Sequence, residues 1–182
     1  MQISDQRLSF ARDLVLHWSD IRDGELVPTE LDLDFHELQA IIPTLSMMDT
    51  PTSDASTVVV MGQGRLEADL WPSVKDANWY DLIPPEGKEL AIRSRKHLIE
   101  TPCGVYYHYT ASGADNFFQE AETLVLPMRI YNSKPPSSTI SVTNMMRKRG
   151  KLDLSRPIKL EKLHLEYVDI GAGIPEKRLN GG

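Results

Sequence analysis

The sequence has few of the features that mark secreted or membrane-spanning proteins. Among its 182 residues there is a single cysteine, Cys103, so no disulfide framework can form within one chain. This cysteine usage fits a reducing compartment. No run approaches 18 uninterrupted apolar residues, and the opening MQISDQRLSF has no apolar core of the kind found in signal peptides. We therefore expect a cytoplasmic protein that does not enter a membrane.

Positive charge is also scarce, which weighs against nucleic acid as a partner. Asp and Glu number 26 against 20 Lys and Arg, for a formal net charge of −6. Proteins that bind nucleic acid backbones need clustered positive charge. The dense basic cluster of this chain is Arg147, Lys148, Arg149 and Lys151. It could meet an acidic partner or a phosphate-bearing ligand, but a solvated linker is the commoner role of such a run.

Motifs of catalysis and metal binding are missing as well. The five histidines have no ligand spacing with one another or with Cys103, so we expect no metal site. There is no G-x-S-x-G motif, and strand alternation places Cys103 and His108 on opposite faces. Gly62-Gln63-Gly64 lacks the further residues of a phosphate-binding loop and is better explained as a crowded strand end. We expect no catalytic activity.

The apolar content of 41% and the charged content of 25% are ordinary for a globular protein of about one domain. Apolar residues at helical spacing predict a leading helix from Ser4 to Trp18. Asp34 could cap a second, short helix over Phe35–Ile42, which Pro43 would stop.

The rest of the chain predicts an antiparallel sheet around a helical middle. The predicted strands are Leu45–Met48, Thr57–Met61, Cys103–Tyr109, Phe118–Met128, Thr139–Met146 and a last one at Leu163–Tyr167. Short helical pieces are expected before Leu82, and a clear helix from Pro85 to Glu100. Leu90, Ala91, Ser94 and Leu98 form its apolar face, with Lys88, Arg93, Arg95 and Lys96 off that face. The order of elements is an α+β pattern, with helices on one face of the sheet.

Five segments resemble a bacterial PAS-like family of short, often stand-alone proteins. They are LDLDFHELQAIIPTLSMMD (31–49, after Pro28), TVVVMGQG (57–64), DLIPPE (81–86), ETLVLPM (122–128) and YVDIGAGIP (167–175). The resemblance implies a five-stranded antiparallel sheet whose helices cup one face and can enclose a ligand. It divides the chain into a leading helix and connector (1–26), a PAS-like domain (27–146), and a segment (147–182) with basic linker, additional strand and loose tail.

The resemblance also implies a ligand pocket under the helical middle. Its candidate residues are Trp71, Trp79, Tyr80, His97, Leu98, Tyr107, Tyr109 and Glu122, with His108 as a further polar contact. The aromatic residues among them are equally what a plain core contains. His97 lies where some PAS domains hold haem, although a half-buried histidine is the simpler interpretation, so the cofactor stays open. Relatives often carry Gly-x-Asp/Glu-x-Thr-Gly after the second strand, whereas this chain has GRLEADLWPS (64–73). The pocket could therefore be altered or empty.

The leading helix is a candidate dimer interface. Its apolar face comprises Leu8, Ala11, Leu14, Val15 and Trp18. The resemblance implies that such a helix can pair with its copy, so we expect a homodimer; the alternative is that the helix folds back on its own sheet. We expect a sensory module that binds a small ligand and passes its state to a signalling partner. The alternatives are a ligand-free interaction adaptor and, less favoured, an enzyme with an unrecognised site.

Overall fold

The fold is known from a computed structural model, which describes residues 6–52, 54–64, 77–131, 133, 135–151 and 156–175. The strands are β1 (Leu45–Thr52), β2 (Ala55–Met61), β3 (Gly104–Ser112), β4 (Phe118–Met128), β5 (Ser138–Arg149) and β6 (Lys159–Val168). Two α-helices lie wholly within these ranges, α1 (Arg12–Asp20) and α2 (Pro85–Glu100). Short 3-10 helices cover Gln6–Ala11, Glu30–Asp32, Ile42–Thr44 and Trp79–Asp81.

The strands form a 6-stranded antiparallel sheet in the order β2-β1-β5-β4-β3-β6. The α+β class and the antiparallel pairing predicted from the sequence are thereby confirmed. The predicted five-stranded sheet is corrected, because β6 adds to the open side of β3 from Gly104↔Val168 to Ser112↔Lys159. The additional strand therefore belongs to the same sheet as the other five.

Helix α1 covers one face of the sheet, called here the α1 face. Leu14 and Trp18 of α1 are fully buried in a core with Leu45 of β1, Leu124 of β4 and Ile140 of β5. The indole Nε1 of Trp18 donates a hydrogen bond of 2.9 Å to the carbonyl oxygen of Pro127. The leading helix thus packs on its own sheet, which was the alternative to the expected pairing with a second copy.

Helix α2 and the Trp79–Asp81 turn cover the opposite face, called here the α2 face. Leu98 packs against Val105 and Val125, while Met48 packs under Trp79. The helix begins at Pro85 as predicted, because a proline at the first turn gives up an N–H that has no helical acceptor there. Since α1 and α2 lie on opposite faces, the sheet is covered on both sides.

Two of the predicted helices differ from the structure. Residues 35–42 form successive turns and not a helix: two of their backbone hydrogen bonds span three residues, as from Ile41 N to Leu38 O at 2.9 Å, and two span four, as from Ile42 N to Leu38 O at 3.1 Å. A segment this short, followed by a proline, can form too few helical hydrogen bonds to offset the free-energy cost of helix nucleation. The leading helix is 3-10 over Gln6–Ala11 before it becomes α-helical.

The basic linker expected from residue 147 onward also differs from the structure. Arg147, Lys148 and Arg149 belong to β5 and pair with β4 as far as Phe118↔Arg149. Arg147 lies 3.5 Å from a carboxylate oxygen of Glu120, and the Arg149 guanidinium lies over the Phe118 ring. These cross-strand contacts let the charged residues continue the strand. The predicted domain boundary at 146/147 therefore falls inside β5.

Neither α1 nor α2, the α-helices of the described ranges, is long and apolar enough to cross a membrane.

Candidate functional site

A cavity of about 180 Å³ lies between the α2 face of the sheet and helix α2. Its walls come from β1, β3, β4 and β5 below, from α2 and the turn before it above, and from β6 at the side. The lining residues are Ser46, Met48, Trp79, Tyr80, Leu82, Ile83, Pro84, Gly87, Ala91, Arg95, Tyr107, Tyr109, Ala111, Phe117, Gln119, Thr123, Val125, Ser141, Thr143, Ile158, Leu160 and Leu163.

The floor of the cavity follows from strand alternation. Tyr107, Tyr109 and Ala111 of β3 point to the same face because side chains two residues apart share a face. Tyr107 lies opposite Thr123 of β4, and Ala111 lies opposite Gln119. The floor therefore runs along β3 from Tyr107 at one end to Ala111 at the other.

The roof is one face of α2. Gly87, Ala91 and Arg95 recur at one-turn spacing and all line the cavity. The first two side chains are small, so space remains between the helix and the sheet. A Cβ atom on Gly87 would lie 2.9 Å from Cδ2 of Leu160, which shows how closely the start of α2 approaches β6.

Most polar groups of the floor satisfy one another. Ser94 Oγ donates to the Ala91 carbonyl oxygen at 2.8 Å, so it accepts the hydrogen bond from the Tyr107 hydroxyl. Gln119 Nε2 donates to the Tyr109 hydroxyl at 3.0 Å, and the hydroxyls of Thr123 and Thr143 are 2.9 Å apart. These pairs are neutral and need no ligand.

Two buried polar groups of the cavity wall lack such a partner. Within the described residues, Tyr80 Oη and Arg95 Nη1 are buried without a hydrogen bond. Burial raises the pKa of Tyr80 to about 12 and lowers the pKa of Arg95. The Tyr80 hydroxyl is therefore protonated at neutral pH and remains a donor.

The structure brings together part of the set predicted from the sequence. Trp79, Tyr80, Tyr107 and Tyr109 line the cavity as expected. Leu98 is fully buried, but it packs with Val105 and Val125 and does not itself line the cavity.

The remaining predicted residues that the structure describes do not line the cavity. His97 contacts the ring of Tyr167 edge to face with the ring centroids 5.6 Å apart. Glu122 lies on the α1 face, where it accepts hydrogen bonds from Tyr106 Oη at 3.0 Å and Asn144 Nδ2 at 2.9 Å. His108 lies on that face too, 3.1 Å from Glu120, because alternation turns both of these β3 and β4 positions away from α2. Trp71 lies outside the described residues.

The residues missed by sequence reasoning are mainly those whose burial depends on tertiary packing. Arg95 was expected off the apolar face of α2, yet it is 5% exposed. A signal for it was present, since it follows Ala91 and Gly87 at the spacing of one helix face. Phe117, Leu160 and Leu163 had no such signal in the sequence. Leu160 and Leu163 reach the cavity because β6 pairs with β3, and that pairing is not visible in the sequence.

The face predicted for dimerisation lies in the interior of the chain. Ala11, Leu14, Val15 and Trp18 are each between 0% and 2% exposed. A dimer through this face would require α1 to leave its own sheet. Of Leu8 only the backbone, within the 3-10 turn Gln6–Ala11, is described.

Cys103 is buried, and burial raises the pKa of its thiol to about 12. The thiol is therefore protonated at neutral pH, whereas the thiolate is the reactive form. Among the described residues, no group of three or more His, Cys, Asp or Glu side chains is placed to hold a metal ion.

Comparison of the chain with protein-family models, with curated proteins and with solved structures gave no match.

Proposed function

We propose that this protein is a PAS-like sensory module that binds a small ligand between its sheet and α2 and reports occupancy to a protein partner. The observation that carries the proposal is the cavity of about 180 Å³, which is largely apolar and has a few placed polar groups. Such a combination is characteristic of small-molecule sites.

The arrangement of the chain supports the PAS-like part of the proposal. Strands β1 to β5 are ordered 2-1-5-4-3, with α2 inserted in the chain between β2 and β3. Two strands, a helical segment over one face and three further strands are the plan that the sequence resemblance implies. Strand β6 and helix α1 are additions to that plan, one at the edge and one on the other face.

The position of α2 supports the sensing part. Ala91 and Arg95 line the cavity, whereas Glu89, Arg93 and Lys96 of the same helix are exposed. If α2 has two positions relative to the sheet, a ligand in the cavity contacts the helix differently in each. The ligand would therefore shift α2 toward the position that it binds more tightly. The charged outer side presents that shift to a partner.

The test is native mass spectrometry of protein purified from the organism that makes it, followed by denaturing release of anything bound. We expect a discrete extra mass on the wild type that leaves on denaturation. Ala91→Phe fills the cavity and should lose the extra mass, while Glu89→Phe, an equally large side chain on the outer side of α2, should retain it. Wild-type protein that carries no ligand would count against the sensor.

A ligand-free interaction adaptor is the second candidate. The side chains of Val59 and Val60 on the edge strand β2 favour it, since they are 45% and 37% exposed. Apolar side chains at a sheet edge favour association with another chain. The same mass spectrum separates the candidates, because an adaptor would appear as apo protein, alone or as the proposed homodimer.

A further inference from the structure

The roof of the cavity contains a buried positive charge that no described residue neutralises. Arg95 Nη2 donates to Met48 Sδ at 3.3 Å, and a thioether sulfur is only a weak acceptor. Arg95 Nη1 has no partner within the described residues. Among the described residues, the groups that act on its charge are the phenols of Tyr107 and Tyr80. Buried charges in proteins are normally paired, and within this part of the chain the guanidinium has no counter-ion.

A second donor without a partner belongs to the same wall. Tyr80 is fully buried, and its hydroxyl has no hydrogen bond within the described residues. Tyr80 and Arg95 both line the cavity. A guanidinium N–H and a phenol O–H both need an acceptor. Their common requirement is met by an oxyanion.

The other end of the cavity is apolar. Ala111, Phe117 and Leu160 line it, and Gln119 and Tyr109 satisfy each other by hydrogen bonding. Tyr107 and Ala111 are separated along β3 by about 13 Å, at about 3.3 Å per strand residue. The cavity therefore has a cationic end beside Tyr107 and an apolar end beside Ala111.

The size and the single charge limit the ligand further. A cavity of about 150 Å³ accommodates benzene, and the cavity here is about 180 Å³. One guanidinium neutralises one carboxylate, whereas a phosphate dianion would leave negative charge unpaired in the interior. A monocarboxylate about the size of benzoate meets both limits.

We propose that the cavity binds a small monocarboxylate, with its carboxylate on Arg95 and Tyr80 and its apolar body against Ala111 and Phe117. This rests on the proposed function, since it specifies the ligand class of the same cavity. Arg95 is then the residue that selects an acid over a neutral molecule of the same shape.

Isothermal titration with benzoate and its neutral isostere benzamide tests the ligand class on the full chain. Wild-type protein should bind benzoate at least about tenfold more tightly than benzamide, from charge-assisted hydrogen bonds. Arg95→Met should bind both equally. Arg93→Met makes the same change on the exposed side of α2 and should keep the wild-type preference.

Thermal unfolding without ligand gives a second readout. Arg95→Met replaces an unpaired buried charge by an apolar side chain of similar length, so its Tm should rise by about 3 °C or more. Arg93→Met should leave the Tm unchanged. A lower Tm for Arg95→Met would show that the protein itself satisfies this guanidinium, which overturns the proposal.

The outcomes separate this inference from the proposed function. If wild-type protein binds benzoate and benzamide equally, the carboxylate selection by Arg95 is wrong, while ligand binding in the cavity stands. If Ala91→Phe binds both compounds as the wild type does, they bind elsewhere and the proposed function loses its site. If wild-type protein binds neither at millimolar concentration, a benzoate-sized acid is the wrong ligand class.

Discussion

At the scale of single residues, Trp18 ties α1 to the sheet. Its ring is fully buried, its Nε1 donates to the Pro127 carbonyl oxygen at 2.9 Å, and the Arg22 guanidinium lies 5.2 Å from its centroid. Trp18→Phe removes the donor and leaves a buried carbonyl unpaired beside a small cavity. We expect the free energy of unfolding to fall by about 2 kcal/mol, measured by urea denaturation.

Leu16→Ala is the matched control, because Leu16 is on the same helix and 51% exposed. It should change the free energy of unfolding by less than about 0.5 kcal/mol. Equal stability of Trp18→Phe and wild type would mean that α1 does not pack on this sheet, and the α1 dimer would then be the better explanation of its apolar face.

The difference between Tyr107 and Arg95 shows what the sequence can reveal about single residues. Tyr107 was predicted in the pocket because the family resemblance implies that the strand after the helical middle faces the ligand. Arg95 was missed because a charged residue on a helix is normally exposed. Its burial depends on Met48, Tyr80 and the other residues that pack around α2, and their proximity is a product of the tertiary fold.

At the scale of elements, Gly62 follows β2 and packs against the backbone of the 3-10 helix that precedes β1. An added Cβ atom would collide with the carbonyl oxygen of Ile42 and lie 2.5 Å from that of Pro43. The sequence predicted such crowding at this strand end. Gly62→Ala should lower the free energy of unfolding by more than about 2 kcal/mol, because backbone must move to admit the methyl group.

Gly24→Ala serves as the comparison for Gly62→Ala. Gly24 has open space around it but a φ of +84°, so alanine there meets conformational strain without a collision. We expect a loss of about 1 kcal/mol for Gly24→Ala in the same urea titration. If both variants lose the same amount, the contact of Gly62 with the 42–43 backbone is not what requires glycine there.

Element prediction depended on how much each segment specifies its own structure. Helix α2 was predicted correctly because Pro85, its apolar spacing and Thr101-Pro102 agree on both ends. Residues 35–42 were predicted wrongly as a helix, since their packing against the rest of the chain decides between a helix and turns. Leu38 is buried in the core of the α1 face, and that contact is available to either backbone conformation.

At the scale of the whole molecule, the pairing of strands that are distant in the sequence could not be predicted from the sequence. Alternation of Leu163, Leu165 and Tyr167 predicted a strand, but alternation carries no information about which edge receives it. The structure pairs that strand with β3, where it also closes the side of the cavity through Leu160 and Leu163. The cavity is thus a product of long-range pairing.

Burial of weak acids across the molecule predicts a loss of stability at alkaline pH. Burial raises the pKa of Cys103 and of Tyr80 to about 12, from ordinary values of 9.0 and 10.0, and raises the pKa of Tyr107 and Tyr167 as well. The stability is fully present below the unfolded-state pKa values, about 9 to 10. Above them the unfolded chain releases protons that the folded chain keeps, so stability should fall as pH rises toward 12.

The decline is measured as the urea midpoint between pH 8 and pH 11. Cys103→Ala and Tyr80→Phe each remove one of the groups, so each should flatten the decline even where the variant is less stable at pH 8. A thiol in contact with solvent would contribute no such decline, and Cys103→Ala would then follow the wild-type curve in parallel. The pH dependence therefore measures whether the α2 face of the sheet is closed in solution, since Tyr80 and Tyr107 on that face stay protonated only under a covered sheet.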